Sequence, residues 1–319
     1  MMSTNTDKST FRILTIDGGG LRGIYPAFIL KRMEEEFKIT WNKDFQLIAG
    51  TSTGSIIAAG LACGKSASDM LSLYEKHAQT IFHRRLFHRF GLLGSRYHNN
   101  GLKIALDEAF GDIRLGEVCT PLIIPSTNIG NGCVHVFKSA YDPGFVRDKN
   151  VFVKDAVLAS CSAPTYFDPC TVMEYALADG GLWANNPALV AAIDAKRRLK
   201  ISLDQLSVLS LGTGTSKQFY PQKKRWYFRF MGWGFATRWQ RQNFIAMLLN
   251  LQSETATNML GLLLDKSQIL RLSFESDQPL PLDDLREIQD LKARADQSFT
   301  YNAHKIKKFI AKEQEDIKC

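Results

Sequence analysis

Gly50-Thr51-Ser52-Thr53-Gly54 sets a serine between two glycines where an apolar strand runs into a helix. Phe45-Gln46-Leu47-Ile48-Ala49 has strand length, and Ser55-Ile56-Ile57-Ala58-Ala59-Gly60-Leu61-Ala62 reads as a buried helix rich in small residues. Glycines at 50 and 54 allow a sharp turn and let the first helical turn approach the strand. The Ser52 side chain then projects outward, with backbone N–H groups facing whatever it attacks. A hydroxyl held in such an elbow is suited to nucleophilic attack. An ordinary β-turn-α connection capped by Gly and Thr uses the same residues, so the flanking motifs have to decide.

A second glycine cluster lies upstream. Phe11-Arg12-Ile13-Leu14-Thr15-Ile16 reads as a strand, followed by Asp17-Gly18-Gly19-Gly20-Leu21-Arg22-Gly23 and a helix from Ile24 to Phe37 with Phe28, Ile29, Met33 and Phe37 as its apolar positions. Gly18, Gly20 and Gly23 satisfy the G-x-G-x-x-G spacing of a dinucleotide fingerprint. That fingerprint also needs a second strand ending in an acidic residue about 20 positions further on. Asp44 stands at about that distance but precedes the next strand, which leads into the serine motif. The glycines are therefore read as a nest of N–H donors at a helix N-terminus, suited to a developing oxyanion or a phosphate. A third element, Asp179-Gly180-Gly181 after Ala176-Leu177-Ala178, puts a carboxylate on a turn, although Asp-Gly is also common in plain turns.

Taken in this order, Asp-Gly-Gly-Gly-Leu-Arg-Gly, Gly-Thr-Ser-Thr-Gly and Asp-Gly-Gly resemble the three signatures of patatin-like phospholipases. Ala159-Ser160-Cys161-Ser162-Ala163-Pro164-Thr165-Tyr166-Phe167, Asn185-Asn186-Pro187 and the segment from Ser207 to Gly214 extend the resemblance over residues 11–215. The resemblance implies an α/β fold, a three-layer sandwich in which helices flank a mostly parallel central sheet, with helical additions at the C-terminal end. It implies a catalytic core over 11–215 and an extension over 216–319 packed on the same domain.

It also implies a serine hydrolase with a Ser-Asp dyad. Ser52 would be the nucleophile, with Gly50, Thr51, Thr53 and Gly54 forming its elbow. Asp179, on a turn with Gly180 and Gly181, would take the serine proton and return it to the leaving alcohol. Backbone donors among Gly18, Gly19, Gly20, Leu21, Arg22 and Gly23 would hold the oxyanion, and Arg22 would steady that loop or face a lipid phosphate. The reaction would be acyl transfer to water, freeing a fatty acid and a lysophospholipid. A carboxylate with an ordinary pKa near about 3.9 is a poor base for an alcohol, so partial burial of Asp179 is expected.

The competing arrangement is a Ser-Asp-His triad, which needs a histidine after Asp179. Only His304 qualifies, and its basic helical surroundings, with Ile306, Phe309 and Ile310 on the packing face, place it toward solvent. His77, His83, His88, His98 and His135 belong to none of the motifs. All six are assigned structural or surface roles.

A chain of 319 residues with 45% hydrophobic content can bury a large core, and no linker or repeat divides it. The polar start and the lack of any run of 18 apolar residues lead to an expected cytoplasmic location, with action at the inner face of a membrane. The six cysteines show neither a C-x-x-C pair nor histidines at metal spacing, so free thiols are expected, and neither metal nor cofactor.

The net charge of +8 and the pI near 9.1 suit an enzyme that approaches anionic lipid. His83-Arg84-Arg85-Leu86-Phe87-His88-Arg89-Phe90-Gly91-Leu92-Leu93 and the segment 223–235 mix cationic and large apolar side chains. Arg225, Trp226, Arg229, Trp233 and Trp239 are the candidates for membrane or activator contact, since indole and guanidinium groups serve both a headgroup boundary and a clamped nucleobase. A solvated rim over packed aromatics is the plainer reading. Within the family, this compact chain resembles bacterial effector phospholipases of anti-phage signalling that a cyclic dinucleotide switches on. Such an activator is expected near residues 215–242. Membrane phospholipid is the expected substrate, and no DNA or RNA partner is expected.

Two other functions use the same residues: a constitutive lipid acyl hydrolase or thioesterase without nucleotide control, and a non-catalytic membrane-binding protein. Toward the C-terminus, helix is expected across 244–260, an added strand over Ile269-Leu270-Arg271-Leu272-Ser273-Phe274, a helix from Leu285 to Ser298 and a last helix toward Cys319. These helices would cover the sheet or build a homo-oligomer contact.

Overall fold

A computed structural model describes residues 10–83, 94–217 and 241–315. Along the first half run β1 (Phe11–Ile16), α1 (Ile24–Phe37), a short α2 (Trp41–Asp44), β2 (Leu47–Gly50), α3 (Thr53–Ala62), α4 (Ala67–Ile81), α5 (Asn99–Phe110), β3 (Leu122–Asn128) and β4 (Cys133–Lys138). There follow α6 (Val153–Cys161), β5 (Cys170–Val172), β6 (Tyr175–Asp179), the single turn α7 (Gly181–Ala184), α8 (Ala188–Arg197), β7 (Leu206–Leu211) and β8 (Thr215–Ser216). The chain ends on α9 (Arg241–Leu263), β9 (Ile269–Leu272), β10 (Glu275–Ser276) and α10 (Ile288–Glu315).

Eight strands form the main sheet in the order β5-β6-β3-β2-β1-β7-β9, with β4 also paired to β3. The centre is parallel: β1 pairs with β2 and β7, β2 with β3, and β7 with β9. The β3-β4, β3-β6 and β5-β6 pairings are antiparallel. Ile123 pairs with Ala49 on one edge of β3 and Lys138 on the other, while Ser126 pairs with Asp179 and His135. Thus β2 and β6 share one edge of β3 in succession, and β6 takes over where β2 ends. This succession carries Asp179 to the end of the sheet where β2 runs into the Ser52 turn.

Strands with both faces covered need apolar residues at consecutive positions, and β1 supplies Ile13, Leu14 and Ile16, all fully buried. Their alternation separates two cores. Leu14, Ile16 and Ile48 face the layer of α1, α3, α4, α5 and α6, whereas Ile13, Leu47 and Ala49 face α8 and the end of α9. The buried face of α8 is built from small side chains, Ala188, Ala191, Ala192 and Ala195, with Val190 packed at its side. Helix α3 has no polar face, and the Gly60 backbone rests against Met70 of α4. A Ser66 and Asp69 capping box starts α4. The molecule is therefore an α/β three-layer sandwich with a mostly parallel sheet.

The C-terminal residues build into this body. β9 lies parallel on β7, as an added strand, and β10 pairs with β8. Helix α10 is one continuous element rather than the two expected, with only a 3-10 turn at Leu285–Glu287 before it. No glycine or proline interrupts residues 288–315, so nothing breaks the helix there. It packs along α1: Tyr25 Oη donates to Ser298 Oγ at 2.8 Å and the Arg32 guanidinium lies 4.7 Å from the Phe299 ring centre.

Candidate active site

Ser52 sits between the end of β2 and the first residue of α3 with φ 52° and ψ −130°. For a residue with a Cβ this costs on the order of 1–3 kcal/mol, so the surroundings must impose it. They do so by taking up neighbouring polar groups. The Thr51 amide donates to Ile16 O at 3.2 Å, the Thr51 hydroxyl to Ala184 O at 2.6 Å, and the Ser52 amide to Ser160 Oγ at 2.9 Å. Ser160 in turn donates to Pro125 O at 2.6 Å. A methyl group on Gly54 would stand 2.5 Å from Asp17 O, so only glycine lets α3 start this close to the end of β1.

Asp179 is the last residue of β6, opposite Ser126 of β3. Its amide donates to Ser162 O at 3.0 Å and its carbonyl accepts from Thr127 Oγ1 at 2.8 Å, so the backbone behind the carboxylate is held. Oδ2 accepts from Ser52 Oγ at 2.5 Å and Oδ1 from the Gly181 amide at 2.6 Å. Ser52 is 8% exposed and Asp179 3%. Burial pushes the carboxyl up to about 7, against the hydrogen bonds from Ser52 and Gly181 that favour its charged form. A carboxylate in that range is matched to proton exchange near neutral pH.

The glycine cluster begins a 3-10 turn (Gly20–Gly23) at the head of α1. The structure narrows the donor set expected here. The Gly18 amide donates to Asn185 O at 3.0 Å, Leu21 to Leu282 O at 2.8 Å and Arg22 to Gly19 O at 3.2 Å, so these three are committed to the fold. Gly23 packs against the Tyr74 ring. The amides of Gly19 and Gly20, together with that of Thr53 at the first turn of α3, have no acceptor among the described residues. The Arg22 guanidinium donates to Gly19 O at 3.2 Å and Gly214 O at 3.0 Å, which braces the loop. Burial lowers its pKa to about 10.

Ser52, Asp179, Gly19, Gly20 and Thr53 share one pocket, with about 660 Å³ of space counted out to its open mouth. Its remaining wall is almost wholly apolar: Ile56, Ile81, Phe82, Leu102, Phe167 and Leu249 are among its residues. Such a site offers a hydroxyl next to a basic carboxylate, N–H donors that meet no acceptor among the described residues, and a mostly apolar pocket beside them.

Several residues of this site lay outside the motif reading. Ser160 was visible only as part of a small-residue segment. Behind the glycines, Arg271 of β9 holds Asp17 through two hydrogen bonds of 2.8 and 2.5 Å, Ser253 of α9 donates to Asp17 Oδ2 at 3.3 Å, and Asn185 Nδ2 donates to Ser253 Oγ at 2.9 Å. No local sequence signal marks Ser253 or Arg271.

Among the described residues no histidine lines the pocket. His304 is exposed on α10, while Ile306 and Phe309 turn inward. His77 pairs with Glu108 at 3.0 Å, and His83 and His98 are exposed. His135 packs at a tilt against the rings of Phe137 and Tyr175, where burial pushes its pKa down to about 4. His88, the basic segment 84–93 and the candidate contact residues Arg225, Trp226, Arg229, Trp233 and Trp239 lie outside the described residues. Among the described residues no helix is long and apolar enough to cross a membrane.

A cGAMP-activated phospholipase of Escherichia coli (strain TW11681) is 33% identical over 255 residues, covering 73% of this chain and 71% of that protein. A cGAMP-activated phospholipase of Vibrio cholerae serotype O1 is 31% identical over 259 residues, covering 72% of each. A cUMP-AMP-activated phospholipase of Escherichia coli is 28% identical over 314 residues, covering 94% and 93%. Residues 14–192, which run from β1 through the elbow and the Asp179 turn into α8, match the patatin-like phospholipase family, and the chain is a hydrolase belonging to that family.

Proposed function

We propose that this hydrolase releases fatty acids from membrane phospholipids through a Ser52-Asp179 dyad. The observation that carries the proposal is the 2.5 Å hydrogen bond from Ser52 Oγ to a buried Asp179 at the head of an apolar pocket. Ser52 Oγ attacks the ester carbonyl while its proton passes to Asp179. The oxyanion is held by the free amides of Gly19 and Gly20, with Thr53 on the helix side, each good donor being worth roughly 3–4 kcal/mol. Collapse expels the lysophospholipid alkoxide, which takes the proton from Asp179 and leaves an acyl-serine whose chain lies in the pocket. Water then frees the fatty acid by the same proton route in reverse.

Release of fatty acid and lysophospholipid from anionic vesicles tests this. Ser52→Ala and Asp179→Ala are expected to lower release by at least about a thousandfold, and His304→Ala to leave it near the parent rate. Release by Ser52→Ala equal to the parent would sink the mechanism. The names of the relatives support control by a cyclic dinucleotide; action at the inner face of the cytoplasmic membrane in anti-phage defence is part of the proposal and rests on the family resemblance of the sequence. Titration with cGAMP and cUMP-AMP is expected to raise vesicle hydrolysis, and substitution of Arg225, Trp226 or Arg229 to weaken that response. A flat titration with both nucleotides counts against it.

A further inference from the structure

Asn185 follows α7 and is 5% exposed, and its side-chain carbonyl oxygen has no hydrogen-bond partner among the described residues. An unpaired buried acceptor costs about 1–3 kcal/mol, so a fold retains one where something else fills it. Its place is well defined. A methyl group built on Gly18 would lie 2.5 Å from Asn185 Oδ1 and 3.0 Å from Ser52 Cβ. One built on Gly181 would lie 2.9 Å from Asp179 Oδ1 and 3.1 Å from Asn185 Oδ1. The orphan oxygen therefore lies buried close to both members of the dyad, and Asn185 is among the residues that line the pocket containing them.

The amide's orientation is dictated from behind. The Asp17 carboxylate, clasped by Arg271, only accepts hydrogen bonds, so the single hydroxyl hydrogen of Ser253 is directed to Asp17 Oδ2. Ser253 Oγ can then only accept from Asn185, which fixes Nδ2 on Ser253 and turns Oδ1 toward the dyad. The esters and phosphate of a phospholipid backbone bring only acceptors to this oxygen. Water brings two donors.

We infer that Asn185 Oδ1, together with Asp179, holds the water that cleaves the acyl-serine. This rests on the acyl-enzyme reading above. The water oxygen bonds to the acyl carbon while one of its hydrogens passes to Asp179 and the other stays hydrogen-bonded to Asn185 Oδ1. Collapse of the tetrahedral intermediate breaks the bond to Ser52 Oγ, which recovers the proton from Asp179, and the fatty acid departs. Asn185 is thus a catalytic residue for deacylation and gives no comparable help to an alcohol, which spends its one hydroxyl hydrogen on Asp179 and presents an alkyl group to the amide.

Competition between nucleophiles tests the inference. The full chain, supplied with cGAMP and cUMP-AMP, hydrolyses a short-chain phosphatidylglycerol in aqueous methanol, and the ratio of fatty acid methyl ester to free acid is measured. Both products leave the same acyl-enzyme, so the ratio does not depend on how much of a variant folds. In Asn185→Ala the ratio is expected to rise about tenfold over the parent, the worth of one well-made hydrogen bond, with Ser52→Ala as the blank. An unchanged ratio, both products falling together, would overturn the inference and leave Asn185 a scaffold residue. Absence of both products from the parent would overturn the acyl-serine reading beneath it.

Discussion

At the level of single residues, the pKa of Asp179 governs how the site responds to pH. The base must be ionised, so kcat/KM is expected to rise with pH through about 7, the value to which burial pushes this carboxyl. A flat profile between pH 5.5 and 8.5 would remove Asp179 from that role. The same shift acts on stability with a definite sign. The folded form holds the Asp179 proton up to about 7 while the unfolded chain releases it near 3.8, so Asp179 makes the fold less stable as pH rises across that window. Asp179→Asn, compared with the parent by urea unfolding at pH 5 and pH 8, should therefore gain relative stability at the higher pH. Ser160→Ala tests a different residue: it leaves the buried Ser52 amide without its acceptor, at a cost of about 1–3 kcal/mol, and should lower the vesicle rate while the pocket wall stays intact.

At the scale of elements, the active end of the sheet is closed from behind by α9 and β9. Arg271 reaches Asp17 from β9, and α9 brings Ser253 to the same carboxylate and Leu249 to the pocket wall. Removing the cation leaves the Asp17 carboxylate buried with Ser253 as its remaining side-chain donor, so Arg271→Met is expected to destabilise the protein by about 3 kcal/mol. Burial already raises the Asp17 pKa against the pull of Arg271, and without Arg271 it rises further. The loss in Arg271→Met should consequently be larger at pH 8 than at pH 5, and Asp17→Asn in the same background should recover part of it. Equal losses at the two pH values would mean that the guanidinium contributes only packing. Short elements with local signals were legible: β1 at Phe11–Ile16 and α1 at Ile24–Phe37 lie where apolar spacing puts them, and the glycines of the elbow bracket a real turn. The 3-10 turn was not, because its Leu21 amide is drawn to Leu282, far along the chain.

For the whole molecule, the C-terminal elements complete both the sheet and the helical layer. β9 covers the edge of β7, and Phe299, Ile306 and Phe309 of α10 belong to the same core as α1. A chain cut after residue 217 would expose that strand edge and the apolar face of α1. It is expected to aggregate or to lose its near-ultraviolet signal. A soluble, cooperatively unfolding fragment would show that the first 217 residues fold alone.

The amino-acid sequence by itself determined the chemical inventory: a serine on a glycine elbow, a carboxylate on a second turn, a glycine nest, and the strand and helix that flank the elbow and the nest. These are local properties, set by turn chemistry and by the periodicity of apolar residues over fewer than about 20 positions. The tertiary structure alone decided which groups meet. Ser52 finds Asp179 at a separation of 127 residues, Ser160 at 108, and Asp17 finds Ser253 at 236 and Arg271 at 254. It also decided which amides meet no acceptor among the described residues and how basic Asp179 becomes, because donor commitment and desolvation depend on what packs around a group rather than on what precedes it in the chain.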